Sequence, residues 1–247
     1  MGCFVPFSNN SLEMSLLVFR PTVVVVDDVV DALKHFSLFS KTLGCVCSSI
    51  FKSIHGNMIV WYGAWMKASS DDKGKLYSAL LSGLTDVSSM AILIYHSVFE
   101  AFAGESRTSS IGAKLSTGDT ISLSSAVLMA GDLSDISYTC LALFESHFQK
   151  LEGVTAGVLL QCQFGPRIAC LYVWRSTDLC YSWAINSHYR KTVLPYLDQY
   201  SVDIKYDIFR VVYVSSENVH NLHFYSSGLA LRNEVVCRTG HVMQDVE

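Results

Sequence analysis

The spacing of apolar residues changes along the chain between a helical and a strand-like pattern, which predicts a mixed α and β fold. Residues 14–20 form a short apolar run that ends before Pro21, as a strand would. Between residues 26 and 43 the apolar positions recur every three or four residues, which predicts a helix. Three aspartates lie near its positive end, and Gly44 follows as a C-terminal cap.

Two β-rich arms at 46–54 and 58–65 flank the turn His55-Gly56-Asn57, and this pattern predicts a β-hairpin. The elements expected after the hairpin are a helix, two strands, a long loop and a further strand, at 75–84, 90–95, 98–103, 104–118 and 119–123.

The same order of elements then begins again. Ser124 and Ser125 could cap a helix that runs to about Leu151. The later elements expected are a hairpin, a helix and three strands, at 156–163 and 167–174, 183–194, 202–205, 208–215 and 220–225. Ser226 and Ser227 would start a third helix.

A shift of 109 residues superimposes the two halves without a gap. It pairs glycines after the helices, glycines in the hairpin turns and tryptophans at strand ends: Gly44 with Gly153, Gly56 with Gly165, and Trp65 with Trp174. Geometry restricts the residue types at such positions. We therefore predict an internal repeat, with a first α+β unit at 1–124, a second at 125–231 and a C-terminal tail at 232–247. The alternative is a chance likeness between two α+β halves.

The predicted fold class is α+β, with two tandem similar units. Each unit runs helix, two strands, helix and further strands, an order that resembles the roadblock/longin modules and, more loosely, profilin and GAF domains. That resemblance implies a mainly antiparallel, five-stranded sheet in each unit, with helices packed on one or both faces. It rests on element order alone.

The chain as a whole resembles a family of uncharacterised plant proteins. The segments that carry the resemblance are Cys3-Phe-Val-Pro-Phe, Phe19-Arg-Pro-Thr-Val and the thirteen-residue stretch from Ser53 to Trp65. The family has no established activity, although some members carry a glutamate–tRNA ligase label. The chain has neither the H-I-G-H-type element nor the lysine-rich K-M-S-K-S-type loop of such a ligase, so the sequence does not support that label.

Composition excludes several classes of protein. Half of the 247 residues are apolar, 16% are charged, where about 25% is usual, and the net charge is −4. Such a chain is not disordered and has no basic surface for nucleic acid. No apolar run reaches the roughly 18 residues of a membrane-spanning helix, and no secretory signal is present. The eight cysteines show no C-x-x-C spacing, so a zinc ribbon or thioredoxin-type centre is not supported. Several of them, such as Cys162, Cys170 and Cys180, lie in apolar runs, so we expect reduced thiols in a cytoplasmic protein.

Gly2 and Cys3 form a candidate lipidation site, because an N-terminal glycine beside a cysteine is the pattern of dual acylation. Pro6 stands where the myristoylation pattern has Ser or Thr, so an ordinary N-terminus is the alternative. Acylation would place the protein at the membrane periphery, and no other membrane contact is expected.

The long loop supplies a candidate interaction segment at 105–117, because loops of this length are often functional. We predict that it contacts a partner or is phosphorylated. Its candidate residues are Glu105, Ser106, Arg107, Ser109 and Lys114.

No motif in the sequence fixes a chemistry, so we predict no catalytic residue, cofactor or metal site. Cys45 and Cys47 are predicted to lie on one strand face, and His96 and Glu100 are predicted to share another. The sequence shows no third metal ligand for either pair. The aromatic residues at strand ends fit core packing better than an interface.

The function expected from these observations is a non-enzymatic protein–protein interaction or scaffold protein, for example a subunit of a trafficking or signalling complex. The protein partners stay unknown, and association into a homodimer is left open. A GAF-like module that senses a small molecule is the alternative, and an enzyme of unknown class is the third.

Overall fold

The strand Leu12–Pro21 is buried on both faces, which indicates how the sheet is covered. In the computed structural model, the strand Leu12–Pro21 directs Met14, Leu16 and Val18 to one side and Leu17 and Phe19 to the other, and all five are buried. A strand covered on both faces must lie between two apolar layers. The structure describes residues 3–8, 12–67, 69–129, 132–185, 191, 194–197, 200 and 202–215.

Ten strands and six helices are described. The strands are β1 (Cys3–Pro6), β2 (Leu12–Pro21), β3 (Cys45–Ser53), β4 (Ile59–Met66), β5 (Ala91–Ser106), β6 (Gly112–Leu115), β7 (Thr120–Leu128), β8 (Val154–Cys162), β9 (Arg167–Trp174) and β10 (Val202–Val214). The helices are α1 (Val26–Thr42), α2 (Ser70–Ser82), α3 (Thr85–Ser88), α4 (Leu133–Phe148), α5 (Thr177–Ile185) and α6 (Leu194–Leu197).

Eight antiparallel strands close into one barrel in the order β10-β3-β4-β2-β5-β8-β9-β7. The first half of the chain supplies β3-β4-β2-β5, and the second half supplies β8-β9-β7-β10. Both halves follow the β-α-β-β-α-β path of a ferredoxin-like unit. The pairs β5–β8 and β10–β3 join the two halves. The expectation of two roadblock/longin-like units is therefore wrong, because the two halves share a single closed sheet.

Local features recur at the spacing that the repeat predicts. Gly44 and Gly153 both have a left-handed backbone, with φ of +95° and +86°. Each precedes a β-bulge, which lies between Cys45 and Cys47 in β3 and between Val154 and Ala156 in β8. The predicted unit boundary at 124/125 lies inside β7, so the limits of the units stay a prediction. The predicted tail at 232–247 lies outside the described residues.

Several predicted elements differ from the structure. The helix expected from Ser124 to about Leu151 is present as α4, but its predicted start is wrong. β7 continues to Leu128, and α4 begins only after Asp132, whose carboxylate accepts a hydrogen bond from Ser134 N. The loop expected over 104–118 contains the end of β5 and all of β6. The strand at 220–225 and the third helix lie outside the described residues.

Apolar side chains from all eight strands fill the barrel interior. A two-stranded ribbon of β1 and β6 packs into it, and Cys3 and Val5 of this ribbon are buried there. The Tyr62 hydroxyl donates to the Phe4 carbonyl at 3.0 Å, and Cys3 forms a disulfide with Cys47. The barrel interior is therefore a packed apolar core.

Helices cover the outer face of each half. Val29, Leu33 and Phe36 of α1 pack on the outward-facing Phe19 and Trp61 of the first half. On the second half, α4 contributes the buried rings of Phe144 and Phe148. Within the described ranges, every helix is too short or too polar to cross a membrane.

Candidate functional site

A pocket of about 460 Å³ lies between α2 and the outer face of the first-half sheet. Its floor comes from β2, β4 and β5, and its roof from α2. One edge is closed by the second half of the chain, through Cys162 of β8 and Phe164 of the following turn. Both halves of the barrel are therefore needed to complete it.

Strand alternation decides which side chains face the pocket. Met14 of β2 points into the barrel, so its neighbours Glu13 and Ser15 point outward to the pocket. In β4 the same rule places Trp65 in the outer layer. Most of the wall is apolar, with Leu80 and Phe164 among its members.

Two residues of the pocket wall each have a buried side-chain nitrogen with no hydrogen-bond partner among the described residues. The two atoms are Nε1 of Trp65, a residue that is 2% exposed, and Nε2 of His96. By contrast, the nearby Trp61 donates from Nε1 to Ser37 Oγ at 2.9 Å. A buried polar group without a partner costs about 1–3 kcal/mol. Each of the two atoms has less than 1 Å² of accessible surface, so a ligand pairs with them only when the side chains around them move.

Burial favours the neutral form of the His96 imidazole. Burial lowers the pKa of His96, because desolvation penalises the imidazolium. The Tyr77 ring stacks on the imidazole with 4.9 Å between ring centroids. A neutral imidazole with a free ring nitrogen in an apolar pocket is a proton acceptor.

A network of ion pairs closes the rim of the pocket. Lys73 Nζ of α2 lies 2.7 Å from Glu13 Oε2, and Glu13 is 3% exposed. Gln163 Nε2 donates to Glu100 Oε1 at 2.7 Å and to Glu13 Oε2 at 3.3 Å, and Gln163 Oε1 accepts from Lys73 at 3.2 Å. Lys67 Nζ lies 2.7 Å from Glu100 Oε1. The charges compensate one another, so the pocket favours an uncharged ligand.

The arrangement combines an apolar cavity, a neutral base and an unsatisfied N–H donor. These groups can take a proton from a weakly acidic C–H bond and stabilise the resulting oxyanion. The described residues contain no group of three or more His, Cys, Asp or Glu side chains that could hold a metal ion. His96 and Glu100 lie on one strand face as expected, but Glu100 is bound to Lys67 and Gln163.

The predicted shared face of Cys45 and Cys47 is wrong. The β-bulge between them turns Cys47 into the barrel and leaves Cys45 under the helices. Burial raises the pKa of Cys45 to about 12, so its thiol is not reactive near neutral pH.

The candidate lipidation site is only partly described. Gly2 lies outside the described residues, and Cys3 is 1% exposed in its disulfide with Cys47. Cys3 therefore presents no free thiol in this structure. Acylation of Gly2 stays a prediction.

The candidate interaction segment is partly tied to the fold. Glu105 and Ser106 end β5, and Glu105 accepts a hydrogen bond from the side chain of Gln149. The Arg107 guanidinium donates to four backbone carbonyls around the end of α4: those of Phe148, Gln149, Leu151 and Val154. Ser109 and Lys114 are exposed. A role for the segment in partner binding stays a prediction.

Trp65 is the pocket residue that the sequence marks most clearly, as an aromatic residue at a strand end. Glu13, Lys73 and Gln163 are missed, because elements as far apart in sequence as β2 and the β8–β9 turn bring them together. The sequence contains one indication of the buried ion pair, because Glu13 is the single charged residue within the apolar stretch 12–19.

A family model described as a domain of unknown function (DUF7392) matches residues 97–209. This agrees with the expectation of an uncharacterised family. A comparison with proteins of curated function finds no significant match.

Solved structures show clear likeness to the fold. An anthrone oxidase-like protein is 13% identical with a TM-score of 0.68, and the match covers 87% of this chain and 96% of that protein. A proposed monooxygenase from Fusobacterium nucleatum is 9% identical with a TM-score of 0.59, covering 84% and 95%. A proposed chlorite dismutase is 11% identical with a TM-score of 0.53, covering 83% and 96%.

These likenesses overturn the expected function. The neighbours are described as oxidase-like, monooxygenase or chlorite dismutase proteins, which points to a fold of enzymes or small-molecule-binding proteins. The expectation of a non-enzymatic scaffold in a trafficking or signalling complex is therefore wrong.

Proposed function

We propose that the protein is an enzyme that oxidises a small, uncharged aromatic molecule with molecular oxygen in the pocket beneath α2. The observation that carries the proposal is that two residues in the wall of one largely apolar cavity, His96 and Trp65, each have a ring nitrogen without a hydrogen-bond partner among the described residues. The fold likeness to an anthrone oxidase-like protein supports this class of reaction.

The reaction begins with proton transfer. His96 Nε2 takes a proton from a CH₂ group that is activated by a conjugated carbonyl, as in anthrone. The electron pair of the C–H bond moves into the ring system and onto the carbonyl oxygen, where the Trp65 N–H donates a hydrogen bond. The carbonyl oxygen would lie against a largely apolar wall, where a hydrogen bond is stronger than in bulk water.

Molecular oxygen then reacts with the carbanion. A C–O bond forms, and the peroxide takes the proton back from His96. Loss of water converts the C–OOH carbon into a carbonyl. Overall, CH₂ and O₂ yield C=O and H₂O, and the carbon is oxidised by the oxygen that is reduced.

The proposal is tested with purified protein and anthrone. Oxygen uptake and anthraquinone formation are measured above the rate without enzyme, and exchange of the CH₂ protons with D₂O is followed without oxygen. We expect His96→Gln to lower both rates by about 10²-fold or more, and Trp65→Phe by about 10²-fold.

Matched controls separate chemistry from damage to the fold. His35→Gln changes an exposed histidine of α1, and Trp61→Phe removes an indole N–H that is already bonded to Ser37. Both variants should keep the wild-type rates. A wild-type protein that neither exchanges nor oxidises anthrone overturns the proposal, and so does a His96→Gln variant with full activity.

We also propose a cytoplasmic location. It is supported by free thiols at five described positions: Cys45, Cys140, Cys162, Cys170 and Cys180. The Cys3–Cys47 disulfide stands against it, because disulfides are rare in cytosolic proteins. Microscopy of the tagged chain in its native cell tests this, and a secreted protein would contradict it.

A further inference from the structure

Gly74 interrupts the side chains that α2 presents to the pocket. The other α2 positions in the wall carry large side chains: Lys73, Leu76, Tyr77 and Leu80. Gly74 is exposed at the edge of the pocket, and a Cβ atom built on it would meet no heavy atom within 4 Å outside the backbone of its own helix. Glycine inside a helix is destabilising relative to alanine, so the fold alone gives no reason for it here.

Another glycine at the end of the same helix has a structural explanation. A Cβ on Gly83 would lie 2.3 Å from the Phe39 ring, so packing requires the glycine there. At Gly74 neither packing nor a left-handed backbone makes such a demand.

Along α2, Gly74 lies between the residue that pairs with Glu13 and the residue that stacks on His96. It directly follows Lys73, which pairs with Glu13, and it precedes by three residues Tyr77, which stacks on His96. Gly74 and Tyr77 are therefore separated by about 4.5 Å along the helix axis. A flat ligand with its reacting carbon at His96 would extend one or two fused rings toward Gly74.

We propose that Gly74 sets the size of the ligand, because its missing side chain leaves room for the far ring of a polycyclic molecule against the α2 backbone. This inference rests on the proposed function for the identity of the ligand. In this proposal a single residue, Gly74, determines how many fused rings a ligand can have.

The test measures binding without oxygen, so that no turnover occurs. Phenol, 2-naphthol and anthrone serve as probes with one, two and three rings, and isothermal titration gives their affinities for wild type, Gly74→Ala and Gly74→Leu. We expect Gly74→Leu to weaken anthrone binding at least tenfold and to change phenol binding less than twofold. Gly74→Ala should raise the melting temperature by about 2–4 °C.

The control is Lys75→Ala, which changes the next residue of α2. Its side chain is exposed, and it lies outside the pocket wall. This variant should bind all three probes as wild type does.

The outcomes separate the two proposals. A Gly74→Leu variant that binds all three probes like the wild type overturns the role of Gly74, whether or not the protein oxidises anthrone. A wild-type protein that binds anthrone by this pattern without oxidising it overturns the proposed reaction and leaves the role of Gly74 standing. A wild-type protein that binds none of the probes overturns both.

Discussion

Lys73 Nζ of α2 lies 2.7 Å from Glu13 Oε2 of β2, and this ion pair joins the roof of the pocket to its floor. Lys73→Met would leave the Glu13 carboxylate buried without its cation. We expect a loss of about 3 kcal/mol in the free energy of unfolding, because an uncompensated buried charge is strongly unfavourable. Urea denaturation at pH 7 measures it.

Lys75→Met provides the matched control for this pair. Lys75 and Asp72 are both exposed and 3.9 Å apart, so their interaction contributes less than about 1 kcal/mol. Equal losses in the Lys73 and Lys75 variants would show that the Glu13 pair does not hold α2 in place.

Local structure was largely predictable from the sequence, since it depends on neighbouring residues. The hairpin turn at Gly56 and the helix that begins at Val26 follow from apolar periodicity and turn chemistry. Barrel closure did not follow, because it depends on the pairing of β5 with β8 and of β10 with β3. Apolar alternation says which face of a strand is buried but not which strand is its neighbour.

The pocket was harder to predict than the fold. Its rim joins Glu13 to Gln163, two residues 150 positions apart. The sequence shows His96 and Trp65 as ordinary members of strands. That their ring nitrogens lack partners depends on the three-dimensional packing around them, which the sequence does not show.

His96 predicts a dependence of stability on pH. Burial lowers the pKa of His96 from its ordinary value of 6.5, so below pH 6.5 the unfolded chain binds a proton that the folded protein does not. Stability from this residue is therefore complete above pH 6.5 and falls as the pH drops toward the pKa of the folded state.

Denaturation at pH 7.5 and pH 5.5 measures this effect. His96→Gln should lose less stability between the two pH values than the wild type does. His35→Gln, on the exposed face of α1, should keep the wild-type difference. An unchanged difference in His96→Gln would show that His96 titrates normally.

Hydrogen bonds from Arg107 link the end of α4 to the start of β8. Its guanidinium donates to four backbone carbonyls, with the shortest distance 2.7 Å to Val154 O. We expect Arg107→Met to lower the free energy of unfolding by about 2 kcal/mol, because charge-assisted hydrogen bonds are lost and carbonyls lose their donor. Thermal denaturation followed by circular dichroism measures the change.

Lys114→Met is the control for Arg107 and also tests the predicted interaction segment. Lys114 lies exposed in β6, so its substitution should change stability by less than about 0.5 kcal/mol. A partner lost from pull-downs with Lys114→Met would therefore reflect the surface of the segment. A large loss of stability in this variant would instead give Lys114 a structural role.

Gly44 and Gly153, which are 109 residues apart, offer a direct comparison of the two halves. Both have a left-handed backbone, so Gly44→Ala and Gly153→Ala should each cost about 1–2 kcal/mol. Gly153→Ala should cost more, because its Cβ would lie 2.6 Å from Leu179 Cδ1, whereas a Cβ on Gly44 meets nothing within 4 Å. Gly44→Asn should lose less than Gly44→Ala, since asparagine tolerates this conformation. Urea denaturation of the three variants gives the order. A neutral Gly44→Ala would mean that the backbone before β3 can leave the left-handed region, and that the two glycines do not serve the same purpose in the two halves.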